Sequence, residues 1–196
     1  MNTIGSSATD GLNKMRILPP PPKSGRAILF TFLLATAIYF VMIFGTLAQL
    51  ESLAEAKPFD MRPAGYSFES ATKFLSALGT DGRRLYLWRQ IPLDMVYPAL
   101  FAVCSAGAIT WFSESFRPAI ARWTNVVAPI AYLAALADYI ENILIVGMLN
   151  SWPELSTTVV SSASLATMVK SGLTTVVIMT AILSMLTYLI NRFHQR

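Results

Sequence analysis

Four long apolar runs constrain this chain more than any other feature. Residues 27–50 contain no Asp, Glu, Lys or Arg. Residues 93–113 contain one charge, Asp94; residues 126–149 contain Asp138 and Glu141; residues 165–190 contain Lys170. A hydrocarbon core of about 30 Å takes roughly 20 helical residues to cross, and each run meets that length. None shows the period-two alternation of a transmembrane barrel strand. Composition agrees: 54% of the 196 residues are hydrophobic and 13% are charged, against about 25% charged in soluble domains. The expectation is an all-α integral membrane four-helix bundle. Residues 1–26 read as a flexible cytoplasmic tail and residues 27–196 as a single four-span membrane domain.

A signal peptide is the competing reading of the first run. Basic residues precede it, and Ala54-Glu55-Ala56 has the small-x-small form of a cleavage site. The run is longer than the roughly 7–15 residues of a signal core, which favours a retained span. Positive charge then sets orientation. Lys14, Arg16, Lys23 and Arg26 precede span one, Arg117 and Arg122 lie between spans two and three, and Arg192 and Arg196 follow span four. Both termini are therefore expected in the cytoplasm of a multi-pass plasma-membrane (inner-membrane) protein. The loop 51–92 falls outside, although it carries six Lys/Arg against five Asp/Glu. Trp88, Trp111, Trp123, Trp152 and Tyr188 stand near span ends, where interfacial aromatics belong.

The tail carries Pro19 to Pro22, read as a stiff polyproline spacer with a docking motif as the alternative. In the outer loop, Ser67 is placed to cap a short amphipathic helix with Glu69 in its first turn. Phe68, Ala71, Phe74, Leu75 and Leu78 share its apolar face, and Gly79 is the expected stop. Such a helix lies on the membrane or over the bundle mouth, as a lid or as simple cover. Thr80-Asp81-Gly82 reads as a turn. Arg83, Arg84 and Arg89 then approach span two, free to meet lipid phosphate or a carboxylate.

The charges inside the spans are the strongest functional signal. Each costs about 2.5–3.5 kcal/mol at the bilayer centre, so such residues face the bundle interior and mark sites. Asp138, Glu141 and Asn142 fall at i, i+3 and i+4 and share a helix face, with Ala131 and Ala135 on or near it to allow close helix approach. Ser164, Thr167, Lys170, Ser171 and Thr174 form a matching stripe. Asp94, Tyr97, Phe101 and Cys104 line a face of span two. Pro98 should kink that span and free a carbonyl near Asp94. Pro92 is expected at its start and Pro129 in the first turn of span three. Three carboxylates against one lysine cannot all stay ionised cheaply. A proton, an inward-folding arginine or a cation must balance them, unless a Lys–carboxylate pair merely fixes helix register.

The chain resembles an uncharacterised group of small bacterial four-span membrane proteins. The resemblance rests on Gly65-Tyr66-Ser67, Leu78-Gly79-x-x-Gly82-Arg83 with Tyr86, Asp94 with Pro98, Ala137 to Asn142, and Thr167-x-x-Lys170. It covers roughly residues 60 to 175. It implies a four-helix membrane fold and no activity.

Three functions stay open. The first is binding of a lipid or small molecule, with or without chemistry, at Asp94, Tyr97, Asp138, Glu141, Asn142, Thr167 and Lys170, with Arg83 or Arg84 on a headgroup. The second is an ion- or proton-coupled transporter subunit, which would need to oligomerise. The third is a non-catalytic scaffold. The expected partners are membrane lipids, with a second copy in a homo-oligomer as a further option. No cofactor or metal is implied, since the one histidine, His194, lies in the tail. A single cysteine excludes a dithiol enzyme, and a net charge of +4 follows from membrane orientation and gives no support to nucleic-acid binding.

Overall fold

A computed structural model describes residues 22, 24–114, 116, 121, 124 and 126–194. The tail basic residues Lys14, Arg16 and Lys23, Pro19 to Pro21, Arg117, Arg122, Trp123 and Arg196 lie outside the described residues. Four helices are long and apolar enough to cross a membrane: α1 (Gly25–Ala54), α2 (Phe68–Ser113), α3 (Ile130–Ser151) and α4 (Thr157–His194). There is no strand among the described residues. Helix α2 is the hub and touches the other three, α3 and α4 pack along each other, and α1 leans on α2. Outward faces are apolar, with Phe30, Leu33, Phe40, Leu133, Ile143, Leu165 and Leu183 all exposed, as a lipid solvent allows.

Helices α1, α2 and α4 outrun their apolar runs because hydropathy reports where lipid lies and not where the helix ends. Helix α4 starts at Thr157, ahead of the expected 165. Helix α3 starts at Ile130 with Pro129 just before it, not at 126. Helix α2 differs most. Ser67 caps it as expected, its hydroxyl accepting from the Ser70 N–H at 3.1 Å. Gly79 then adopts φ 61° and ψ −173°, a left-handed φ that glycine tolerates best. This breaks the helix without ending it. Thr80 to Gly82 is helical and not a free turn, so span two begins about three turns before Leu93 and carries Arg83, Arg84 and Arg89 on it. Pro92 stands in the first turn of the regular α-helical stretch Ile91–Ser113, as expected, although α2 as a whole reaches further back. A wider π-turn at Tyr86–Gln90 immediately precedes it, where a proline ring would crowd an ordinary α-turn.

The arm of α2 before Gly79 covers one end of the bundle. Ala71, Phe74, Leu75 and Leu78 are buried, while Phe68 is exposed and not on the packed face. They join Leu50 of α1, Tyr86, Met148 of α3 and Val160 of α4 in one core. Between helix α1 and this arm, Phe59 is fully buried in a short 3-10 turn, Phe59–Met61. Its ring meets Tyr66, Phe74 and Tyr86 at centroid distances of 4.6, 4.9 and 6.1 Å. That aromatic wedge fixes the loop. Toward the other end, Ala102, Ala106, Ala131 and Ala135 build a second core, in which small side chains let helix backbones approach.

Pro98 sets the α2–α3 contact. A proline removes the N–H that would bond the carbonyl four residues back, here Asp94. The Asn142 amide donates to that Asp94 carbonyl at 3.1 Å, and the Tyr139 hydroxyl donates to the Met95 carbonyl at 3.1 Å. Helix α3 thus supplies a donor to the Asp94 carbonyl, which Pro98 leaves without one from α2. Asn142→Ala should therefore cost about 1–3 kcal/mol, the range for an orphaned buried acceptor. In a Pro98→Ala background, where residue 98 can donate, that cost should shrink. A double-mutant cycle of thermal unfolding in detergent checks this, and equal costs in both backgrounds would contradict the assignment.

Candidate functional site

The site starts from one face of α3. Asp138, Glu141 and Asn142 are all buried, the last two fully. Lys170 of α4 reaches across to them. Its Nζ lies 3.1 Å from Asp138 Oδ1 and also contacts Glu141 Oε2. The Thr167 hydroxyl, one turn earlier, donates to Glu141 Oε1 at 2.5 Å. Asn142 bridges from the Asp94 carbonyl toward Asp138 Oδ1 at 3.5 Å. Asp94 itself is 3% exposed, so α2, α3 and α4 bury their charges together.

The loop adds a wall that no periodicity could reveal. With Phe59 wedged, Asp60 faces inward and accepts a hydrogen bond from the Tyr86 hydroxyl. Its carboxyl group also lies within side-chain hydrogen-bonding reach of Asp94. Tyr86, Gln90 and Asp94 recur at four-residue spacing along α2, which was the available signal for Gln90. Gln90 is fully buried, and its Oε1 accepts from Thr46 at 2.5 Å. Both belong to π-turns, Met42–Leu47 and Tyr86–Gln90, that touch each other. Asp60 Oδ1, Tyr66 Oη, Gln90 Nε2, Asp94 Oδ2 and Asn142 Oδ1 are buried and make no hydrogen bond within the protein.

Gly65 and Tyr66 tie the loop to α4. The Tyr66 N–H donates to Ser164 Oγ at 2.8 Å. A Cβ on Gly65 (φ +80°) would stand 2.6 Å from that oxygen, so only glycine allows this approach without movement. Burial raises the Tyr66 phenol above its ordinary 10.0, with Glu141 and Asp60 pushing the same way against Thr167 and Arg62. Burial also lowers the Arg62 guanidinium. That group bonds the Lys57 carbonyl and Ser70 and spans the rings of Phe59, Tyr66 and Phe74.

Arg83, Arg84 and Arg89 form no ion pair with the buried carboxylates. Arg83 donates to the Leu75 carbonyl and covers the Trp152 ring, and Arg84 and Arg89 are exposed. Ion pairs among the described residues join only Lys57 to Glu51 and Lys170 to Asp138 and Glu141. No three His, Cys, Asp or Glu side chains among them are arranged around a metal ion. Tyr97, Phe101 and Cys104 turn from the charge cluster toward a groove of about 730 Å³ between α1, α2 and α4. Tyr39 and Tyr97 close its upper end with ring centroids 5.6 Å apart. Tyr97 also stands within electrostatic reach of Asp138 and Asp94. No family model, curated protein or solved structure matches the chain.

Two outcomes follow. Lys170→Met leaves Asp138 and Glu141 without their cation and should cost about 3–5 kcal/mol, as broken buried pairs do. Adding Asp138→Asn and Glu141→Gln should recover most of it. Thermal unfolding in a nonionic detergent measures both, and a silent single variant would deny the pairing its structural weight. Tyr66 has a raised folded value, so the stability from its burial is complete below about pH 10 and falls as pH climbs past it. A phenolate titration of wild type against Tyr66→Phe should show this residue ionising above the ordinary phenol range; an ordinary titration would mean the loop is not docked.

Proposed function

We propose that the protein binds an amphiphile within the membrane, its polar head at the buried charge cluster and its tail in the α1–α2–α4 groove. The observation that carries this is Tyr97, which lines the apolar groove within electrostatic reach of Asp94 and Asp138. A tail needs an apolar channel and a head needs polar partners, and Tyr97 is where the two meet. Groove walls from Ile28 and Phe32 of α1 to Ile182 and Met185 of α4 offer length for a chain. With the termini in the cytoplasm, the head would lie toward the outer leaflet.

A proton or ion path has less support. Below the charges, the space between α2, α3 and α4 holds Ala102, Ala106, Ala131, Ala135 and Val177 packed together, with no Asp, Glu, Lys, Arg or His among the described residues of that cluster. We also propose kinship with the small bacterial four-span proteins that the sequence resembles, on the same Asp94, Asp138–Asn142 and Lys170 positions.

Native mass spectrometry of the mildly purified protein tests the binding reading. Ala181, on the α4 wall of the groove, is changed to Phe to fill it. Wild type should carry a defined amphiphile that Ala181→Phe loses while keeping its helicity and melting temperature. The same mixed lipids on both proteins would count against a specific tail site and favour a scaffold.

A further inference from the structure

Exposed side chains mark the level at which lipid meets this bundle. Phe44 of α1, Met95 and Val96 of α2, Ile143 of α3 and Leu165 of α4 are exposed and apolar. They stand at a similar depth, because Thr46 meets Gln90, Asn142 meets the Asp94 carbonyl and Thr167 meets Glu141. Toward the arm of α2, each helix then exposes a polar residue within about two turns: Gln49, Arg89, Asn150 and Ser162. The hydrocarbon boundary therefore crosses α2 between Arg89 and Met95. Trp88 stands at that boundary and is 72% exposed, where an indole meets the headgroup layer.

Two uncommitted cations flank this indole. Arg84 and Arg89 are exposed and form no ion pair among the described residues. Arg83 differs, being turned to the Leu75 carbonyl and the Trp152 ring. In a regular α-helix, residues five apart point well away from each other. The π-turn at Tyr86–Gln90 winds less per residue and brings Arg89 round toward the side that Arg84 and Trp88 share. Asp81, one turn beyond Arg84, is also exposed, so the stripe keeps a net positive charge. Pro92, Met95 and Val96 continue it outward-facing into the apolar layer. From the arm downward the stripe runs cation, indole, aliphatic. A phospholipid runs phosphate, glycerol, acyl chain in the same direction, and a guanidinium fork matches phosphate oxygens.

We propose that Arg84, Trp88 and Arg89 form a binding site for an anionic phospholipid in the leaflet at the arm end of the bundle. The guanidinium groups take its phosphate and headgroup, and Trp88 lies against its glycerol region with the chains along Met95 and Val96. A free phosphate would leave this apolar continuation unused, so the occupant is a lipid. None of these five residues lines the α1–α2–α4 groove, and neither reading rests on the other.

The full chain in phosphatidylcholine nanodiscs doped with phosphatidylglycerol tests this. Bromine on the acyl chains of one lipid at a time quenches nearby indoles, and subtracting the Trp88→Phe signal isolates Trp88. At equal doping, phosphatidylglycerol should quench Trp88 as though enriched about tenfold over phosphatidylcholine, since two basic side chains at an anionic lipid act on that scale. Arg84→Gln combined with Arg89→Gln should bring the two lipids level, and added salt should weaken the enrichment. Each single change should remove part of it, which keeps the test decisive should the double variant not fold. Arg192→Gln, on an exposed residue near the far end of α4, should leave it intact, as should inorganic phosphate at fixed ionic strength. Equal quenching by both lipids in wild type, or enrichment that survives loss of both arginines, would overturn the site. Displacement by inorganic phosphate would overturn the lipid as its occupant.

Discussion

Three carboxylates and a lysine held out of water decide how this bundle is put together. An isolated charge in a low-dielectric interior is costly, and pairing recovers the cost only with good geometry and further hydrogen bonds. Lys170 meets Asp138 and Glu141 together, Thr167 takes one Glu141 oxygen, and Asn142 leans on Asp138. Each contact joins two helices or braces one that does. Lipid offers no hydrophobic reason for helices to associate, so packing and polar contacts do that work. The α3–α4 pair is closed by the ions at one end and by Ala131 and Ala135 at the other.

Backbone irregularity supports the same site. Pro98 takes a donor away from Asp94, and Asn142 gives one back. The π-turn before Pro92 brings Gln90 against Thr46 on α1. Gly79 bends the chain so that the amphipathic arm folds its apolar face onto Leu50, Met148 and Val160 while the span continues. An unsatisfied backbone group in a membrane costs several kcal/mol, so each departure from regular helix comes with a partner nearby.

The polar region is therefore asymmetric. On the α3–α4 side charges cancel and hydrogen bonds close. On the α2 and loop side, Asp94 and Asp60 face each other, and polar atoms of Tyr66, Gln90 and Asn142 have no hydrogen-bond partner within the protein. A structure that served helix register alone would gain from closing both sides, because a half-satisfied network is worse than none. The open side adjoins Tyr97 and the groove, and this carries the functional reading.

Local chemistry alone made much of this legible. Span count follows from hydropathy, a property of neighbouring residues. The shared face of Asp138, Glu141 and Asn142 follows from helical period, as do the Ser67 cap and the carbonyl freed by Pro98. The helix runs past the apolar stretch at Thr80 and Thr157, because polar residues continue a helix once neighbours brace it, whereas α3 starts late, at Ile130 behind Pro129. Asp60 and the groove were invisible to sequence. Asp60 sits in a loop without period, and its direction is set by the Phe59 ring wedged among Tyr66, Phe74 and Tyr86, residues brought together only by folding. The groove exists because α1 leans on α2 without closing against α4. Apolar periodicity records that a helix has lipid-compatible faces, but only tertiary packing decides which of them meets another helix.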